Sequence, residues 1–146
     1  MAKYGPCGGQ GGAQQYDYDA SANQEVGSIT IWGGHAIDAI QLFYRDKGAT
    51  GPGLAAPKVG GDGGNAATLE LQPGEYLRAI VGRCNVFVDY LLVLGSLGQS
   101  LAVGTDYNED KNFFLESDGN QEITGIFGRC GNLLDNLGVY MRSRER

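Results

Sequence analysis

Three aspartates follow a short loop at a recurring position in this 146-residue chain. Asp38 closes Gly34-His35-Ala36-Ile37-Asp38, Asp89 closes Asn85-Val86-Phe87-Val88-Asp89, and Asp135 closes Gly131-Asn132-Leu133-Leu134-Asp135. The segment from Ile126 to Leu137 aligns without a gap on that from Ile80 to Leu91. The aspartates lie 51 and 46 positions apart, which suggests a threefold internal repeat. An ionised carboxylate after a tight turn accepts two hydrogen bonds, and the N–H groups of the turn point the same way. A fixed acceptor beside fixed donors suits adjacent sugar hydroxyls, which both donate and accept. The plainer alternative is that each Asp only caps its own turn.

A second element recurs. Gly8-Gly9-Gln10-Gly11-Gly12 and Gly60-Gly61-Asp62-Gly63-Gly64 share one pattern and lie 52 residues apart. Such a loop lets the main chain take positive φ and approach a ligand with free amides. Neither copy precedes a helical pattern or carries the Gly-Lys-Ser/Thr of a phosphate loop, so phosphate binding is weakly supported. A third copy is due near residues 104–112, where Val103-Gly104-Thr105-Asp106-Tyr107-Asn108-Glu109 offers none.

The elements that must carry these loops read as strands. Period-two alternation runs through 28–32, 37–44, 67–71, 75–81, 86–94, 112–115, 122–127 and 137–141. Gly33-Gly34, Gln72-Pro73-Gly74-Glu75, Gly95-Ser96 and Ser117-Asp118-Gly119-Asn120 are turn signals between them. No segment offers a helix. The pattern predicts an all-β sandwich, barrel or prism, in one domain over 1–146.

Composition narrows the function classes. With 42% hydrophobic and 19% charged residues the chain can build a core, and its 25 glycines follow no collagen period. A net charge of −6 argues against nucleic acid as a partner. The only basic cluster, Arg142, Arg144 and Arg146, reads as a solvated end. One His and no Cys pair at chelate spacing argue against zinc, so no metal or cofactor is expected. No run approaches a membrane span, and Met1-Ala2-Lys3-Tyr4-Gly5-Pro6 lacks a signal-peptide core. The expectation is a soluble chain, cytoplasmic or mature secreted, with secretion preferred. Three cysteines do not make a disulfide framework.

Four motifs, in order and covering nearly the whole chain, resemble the jacalin-related lectins. They are Gly5-Pro6-Cys7-Gly8-Gly9-Gln10-Gly11-Gly12, then Ile37 to Tyr44, then Gly60 to Gly64 with Leu71-Gln72-Pro73-Gly74-Glu75-Tyr76-Leu77, and finally Ile126 to Tyr140. The resemblance implies a β-prism of three four-stranded Greek-key sheets with pseudo-threefold symmetry. It implies binding of mannose- or glucose-containing glycans and glycoproteins, without metal or catalysis. Carried over, site one is Gly12 with Asn132, Leu133 and Asp135, Gly131 allowing the turn. Asp135, an exposed loop residue in this reading, would accept from sugar hydroxyls, and the amides of Gly12, Asn132 and Leu133 would donate. Site two is Gly64 with Gly34, His35, Ala36 and Asp38; His35 would stack on the sugar or remain a solvated loop residue. A third site is not expected, because Asn85 replaces the loop Gly before Asp89 and its glycine loop is missing.

Other expectations follow. The placement of Cys7 and Cys130 beside site one allows a bridge between them, which would leave Cys84 free or linking two chains. Trp32 reads as core or interface packing. A homodimer or higher homo-oligomer is expected, with Trp32 or the Val86–Leu94 stretch supplying the interface. A glycosidase would need paired acids, and the three loop aspartates sit on separate repeats. The alternative to a lectin is a structural or assembly protein on the same fold, with sugar binding lost or secondary.

Overall fold

The structure is a computed structural model describing residues 2–107 and 110–144. Alternation turns one face of each long strand inward. In β8 (Leu77–Cys84), Leu77, Ile80, Gly82 and Cys84 are buried while Arg78, Val81 and Arg83 are part-exposed. In chain order the strands are β1 (Ala2–Gly8), β2 (Gln14–Asp19), β3 (Gln24–Gly33), β4 (Ile37–Asp46), β5 (Leu54–Ala55), β6 (Val59–Gly60), β7 (Asn65–Glu70), β8, β9 (Val88–Gly95), β10 (Ser100–Gly104), β11 (Lys111–Glu116), β12 (Gln121–Cys130) and β13 (Asn136–Ser143). Among the described residues there is no helix.

All eight expected strands are present, the long ones extended by one to four residues at an end. Glu75 and Tyr76 fall instead in the turn before β8, Val86 and Phe87 in the turn before β9, and Leu71 just past β7. The strands that alternation did not reveal are β1, β2, β5, β6 and β10. Each lies beside a hairpin strand at the margin of its sheet, and the mostly exposed β1 is typical. A strand with little to bury needs no apolar alternation.

Three antiparallel sheets form the prism, in orders β1-β13-β12-β2, β10-β9-β8-β11 and β5-β4-β3-β7, with β6 also on β4. The last sheet keeps four strand positions, because β5 and β6 are one edge strand interrupted around Pro57. Proline has no N–H for the ladder and breaks pairing there. Each sheet is a central hairpin (β12–β13, β3–β4 or β8–β9) flanked by two outer strands. Each central hairpin carries a register shift at an equivalent place: Val26/Ser28, Leu77/Ala79 and Ile123/Gly125. The repeat inferred from the aspartates therefore extends to the bulges.

This topology explains why two loop types meet. β1 pairs with β13 and β2 with β12, so the link from β1 to β2 must cross the end of the β12–β13 hairpin. That link is the first glycine loop, and the hairpin end is the Asp135 loop. The β6-to-β7 link crosses the Asp38 turn in the same way, and the β10-to-β11 link crosses the Asp89 turn. The residues before the aspartates, Ile37, Val88 and Leu134, are fully buried and meet at the apex. The Leu134 amide donates to the Ile37 carbonyl and the Val88 amide to the Leu134 carbonyl, each at 2.9 Å.

The opposite end is held by buried charge. Arg45 at the end of β4 is 4% exposed and donates from Nε to Glu25 at 2.8 Å. Its Nη atoms reach the carbonyls of Gly51, Leu71 and Gln72 at 2.9–3.0 Å. Glu75 accepts from the amides of Gln72 and Leu97 and from the Gln99 side chain. Burial raises its carboxyl, but these donors outweigh it and hold the group below its ordinary range.

The cysteine expectation is corrected. Cys7 is bonded to Cys84, and Cys130 is free and buried. Cys7 is the second-last residue of the edge strand β1, just before the first glycine loop, and Cys84 ends β8 just before the Asn85–Asp89 loop. The prism brings β1 against the third repeat there, whereas Cys130 turns into the core. Of the two expectations for Trp32, core packing is corrected: it is half-buried outside the core cluster, with the Lys58 ammonium 4.3 Å from its ring centroid. In the Val86–Leu94 stretch, Val88, Leu91 and Val93 turn into the core, and Val86 stands 60% exposed.

Candidate functional site

The three hairpin ends share one turn. Gly131 N donates to Leu133 O at 3.0 Å, Gly34 N to Ala36 O at 3.0 Å and Asn85 N to Phe87 O at 2.9 Å. The turn is therefore open to residues other than glycine, and Gly131 is not required for it on backbone grounds. A Cβ on Gly131 would instead stand 4.0 Å from Asp135 Oδ1, in the space above the carboxylate. The amides of Asn132 and Leu133, and of His35 and Ala36, have no hydrogen-bond partner among the described residues.

Each glycine loop closes on its carboxylate. Gly12, at φ +87°, is so near Asp135 that a Cβ there would lie 2.7 Å from Oδ1; for Gly64, at φ +80°, the distance to Asp38 Oδ1 would be 2.6 Å. Only glycine fits such an approach at positive φ. The first glycine loop carries one extra residue, Ala13, which falls after the contact. The structure thus brings together Gly12, Gly131, Asn132, Leu133 and Asp135 at one hairpin end. Gly34, His35, Ala36, Asp38 and Gly64 meet at another. A cavity of about 420 Å³ opens at the latter, lined by Gly34, His35, Ala36, Asp38, Gly64 and Leu133. Leu133 therefore belongs to the first group by its place in the hairpin end and also lines the cavity at the second.

Asp135 is 4% exposed, against the expectation of an exposed loop residue. The hairpin end is roofed by Gly11 and Gly12, which lie close over the carboxylate. Burial raises its carboxyl above the ordinary range, with the Arg129 guanidinium pulling the other way. Its backbone is anchored by Asp135 N to Arg129 O at 3.0 Å and Gly9 N to Asp135 O at 3.1 Å. No protein donor reaches the side-chain oxygens of Asp135 or Asp38 among the described residues. A nearly buried acceptor without an internal partner is costly unless donors come from outside.

Sequence reasoning missed the residues that fasten the first glycine loop. Arg129 Nη2 donates to Gly12 O at 2.9 Å, and Asn136 Nδ2 to Gly9 O at 2.7 Å. The shared Gly-Arg-Cys of the two aligned repeats was the available signal, since Arg83 likewise donates to Tyr107 O at 3.0 Å. Trp32 holds the equivalent ladder position in β3, one residue before Gly33 as Arg83 precedes Cys84 and Arg129 precedes Cys130.

The third hairpin end differs in its crossing loop. Thr105 N donates to Asp89 O at 2.9 Å, as Gly61 N does to Asp38 O. Asp106 pairs with Arg83 at 2.5 Å. β11 begins at Lys111 opposite Cys84, as β7 begins at Asn65 opposite Gly33, so Asp110 stands where the second loop has Gly64. Asn108 and Glu109 of this loop lie outside the described residues. Burial, and then the Asp110 carboxyl within hydrogen-bond reach, push Asp89 up to about 7. In the unfolded chain an Asp titrates near ~4, so between pH ~4 and ~7 the folded state holds a proton the unfolded one has lost, and stability falls as pH rises. Asp89→Asn is expected to raise the thermal midpoint at pH 8 and barely change it at pH 4. Parallel midpoint-against-pH curves for the two proteins would contradict this.

Among the described residues no cluster of His, Cys, Asp or Glu is arranged to hold a metal ion, and no helix is long and apolar enough to cross a membrane. The three antiparallel sheets form the β-prism of the jacalin-like lectins. The Jacalin-like lectin domain matches residues 4–140, and the chain belongs to that family. It is 31% identical to horcolin from Hordeum vulgare subsp. vulgare, the match covering 95% of each chain. A mannose-binding jacalin-related lectin from Ananas comosus superposes with a TM-score of 0.83 at 32% identity, over 98% of each chain. A Malaysian banana lectin superposes with a TM-score of 0.81 at 26% identity, over 98% of this chain and 99% of that one.

Proposed function

We propose that this chain binds mannose- or glucose-type glycans at two sites, without metal and without catalysis. The carrying observation is the pair of loop carboxylates, Asp38 and Asp135, each roofed by a glycine loop and reached by no protein donor. In site one Asp135 accepts from neighbouring sugar hydroxyls, and the free amides of Gly12, Asn132 and Leu133 donate to sugar oxygens. In site two Asp38 has the accepting role, and the amides of Gly64, His35 and Ala36 donate. His35, exposed at the edge of the second cavity, is placed to pack on a ring face. Asp89 binds nothing, because Asp110 occupies its crossing loop. The mannose binding of the pineapple relative, and the mannotriose complex of artocarpin at 25% identity and a TM-score of 0.77, support this choice of sugar.

A shallow polar site of this kind holds a monosaccharide at roughly millimolar affinity. Avidity then comes from two sites meeting one branched glycan. Titration calorimetry with methyl α-mannoside is expected to give two sites per chain, unchanged by a chelator. One site would leave the His35 loop silent, three would restore the Asp89 loop, and binding that calcium must rescue would overturn the metal-free chemistry.

A further inference from the structure

The second glycine loop has two ends, and only one faces Asp38. Gly63 and Gly64 meet that carboxylate, whereas Gly61 packs on the neighbouring hairpin end, where a Cβ would lie 2.1 Å from Asn132 O. A groove of about 420 Å³ opens along this seam, with Gln14, Asp62 and Asn132 as its polar side chains and Gly61 and Gly131 in its floor. All three polar residues are exposed, and none has a side-chain hydrogen bond among the described residues.

The pseudo-threefold repeat supplies two equivalent seams for comparison, and a hydrogen bond crosses each. Gly9 N donates to Val86 O at 3.1 Å across the first. Thr105 Oγ1 donates to Gly34 O at 2.9 Å across the second. Asp106, two residues after Gly104 as Asp62 is two after Gly60, is held by Arg83. Among the described residues no hydrogen bond crosses the Gly61–Asn132 seam.

We infer that this groove is an extension of site one that takes the second ring of an oligosaccharide whose first ring is held at Asp135. The inference rests on the proposed sugar binding at that site. The groove and the carboxylate are continuous through Gly131, which lines the groove and has no side chain to stand between them. Asp62 accepts from hydroxyls, and the Gln14 and Asn132 amides both donate and accept. The lining has no aromatic or large apolar side chain, which selects a polyhydroxylated ring over an apolar aglycone. Site two lacks this extension, so the two sites differ in the length of glycan they read.

The test uses the full chain carrying Asp38→Ala, which leaves site one alone. Calorimetry compares methyl α-mannoside with the α1-2, α1-3 and α1-6 mannobioses. At least one disaccharide is expected to bind about fivefold to tenfold tighter than the monosaccharide, the worth of one or two added hydrogen bonds. Adding Asp62→Ala and Gln14→Ala is expected to bring that ratio below about twofold, with monosaccharide affinity unchanged. A disaccharide preference that survives both substitutions, or is absent before them, overturns the subsite while leaving the monosaccharide site standing. Loss of monosaccharide binding on adding the two substitutions shows that they touch the first ring, and also overturns it. A parent that binds no monosaccharide refutes the sugar site itself, and the extension with it.

Discussion

Replacing Asp38 and Asp135 together with Ala is expected to lower mannoside affinity at least about 100-fold while the prism stays folded. In the proposed sites each carboxylate accepts two hydrogen bonds from sugar hydroxyls, worth about 1.5–3 kcal/mol each when the acceptor is charged, so either site loses two decades or more. Single variants should each halve the stoichiometry. The fold survives because the bonds that anchor Asp135, to Arg129 O and from Gly9 N, are made by its backbone. Its carboxyl carries a burial cost without a protein donor, so Asp135→Ala should not lower the thermal midpoint. The same burial predicts a pH effect. Asp135 takes up its proton at a higher pH than an ordinary Asp, so site one should weaken on mild acidification before such a group would titrate. Calorimetry across pH on the Asp38→Ala chain measures this, and undiminished mannoside binding in the doubly substituted chain would show that neither loop is the site.

Arg45→Ala is expected to destabilise the chain by about 3–5 kcal/mol, the usual cost of removing one partner from a buried, hydrogen-bonded ion pair. Three backbone carbonyls lose their donor, and the Glu25 carboxylate, with 18% of its side chain exposed, loses its counter-charge. Against a typical domain stability of about 5–15 kcal/mol, this lowers the thermal midpoint by roughly 10 °C. Arg45→Lys recovers little, since one ammonium cannot serve acceptors spread around a guanidinium fork. Arg45 and Asp38 lie at opposite ends of β4, so the sugar affinity of the folded fraction should not change. Urea unfolding checks the prediction, and a loss under about 1 kcal/mol would contradict it.

The two sets of residues were not equally legible. The strands around Ile29, Ile80 and Ile126 declare themselves by alternation, because one face of each packs in the core. Asp38, Asp89 and Asp135 declare themselves by spacing, because each ends the same turn of a repeated hairpin. Arg45 was not legible in this way. It lies just past the expected strand 37–44, and nothing local says that its guanidinium will be buried among an acid on the opposite strand and three carbonyls of surrounding turns.

The amino-acid sequence by itself determined the all-β class, the threefold repeat, the hairpin turns and the two glycine loops. Each depends on side-chain alternation or turn chemistry within a few residues. Which glycine loop roofs which carboxylate was open in the residues alone and entered through the family resemblance; the Greek-key crossing supplies its physical cause. The tertiary structure alone decided that Cys7 meets Cys84, that Asp135 is nearly buried, and that Asp110 faces Asp89. It also decided that, among the described residues, the Gly61–Asn132 seam lacks the hydrogen bond that crosses each of its two counterparts. These facts depend on segments up to 127 residues apart being packed at one apex, where a Cβ, an extra loop residue or a single hydroxyl determines what fits.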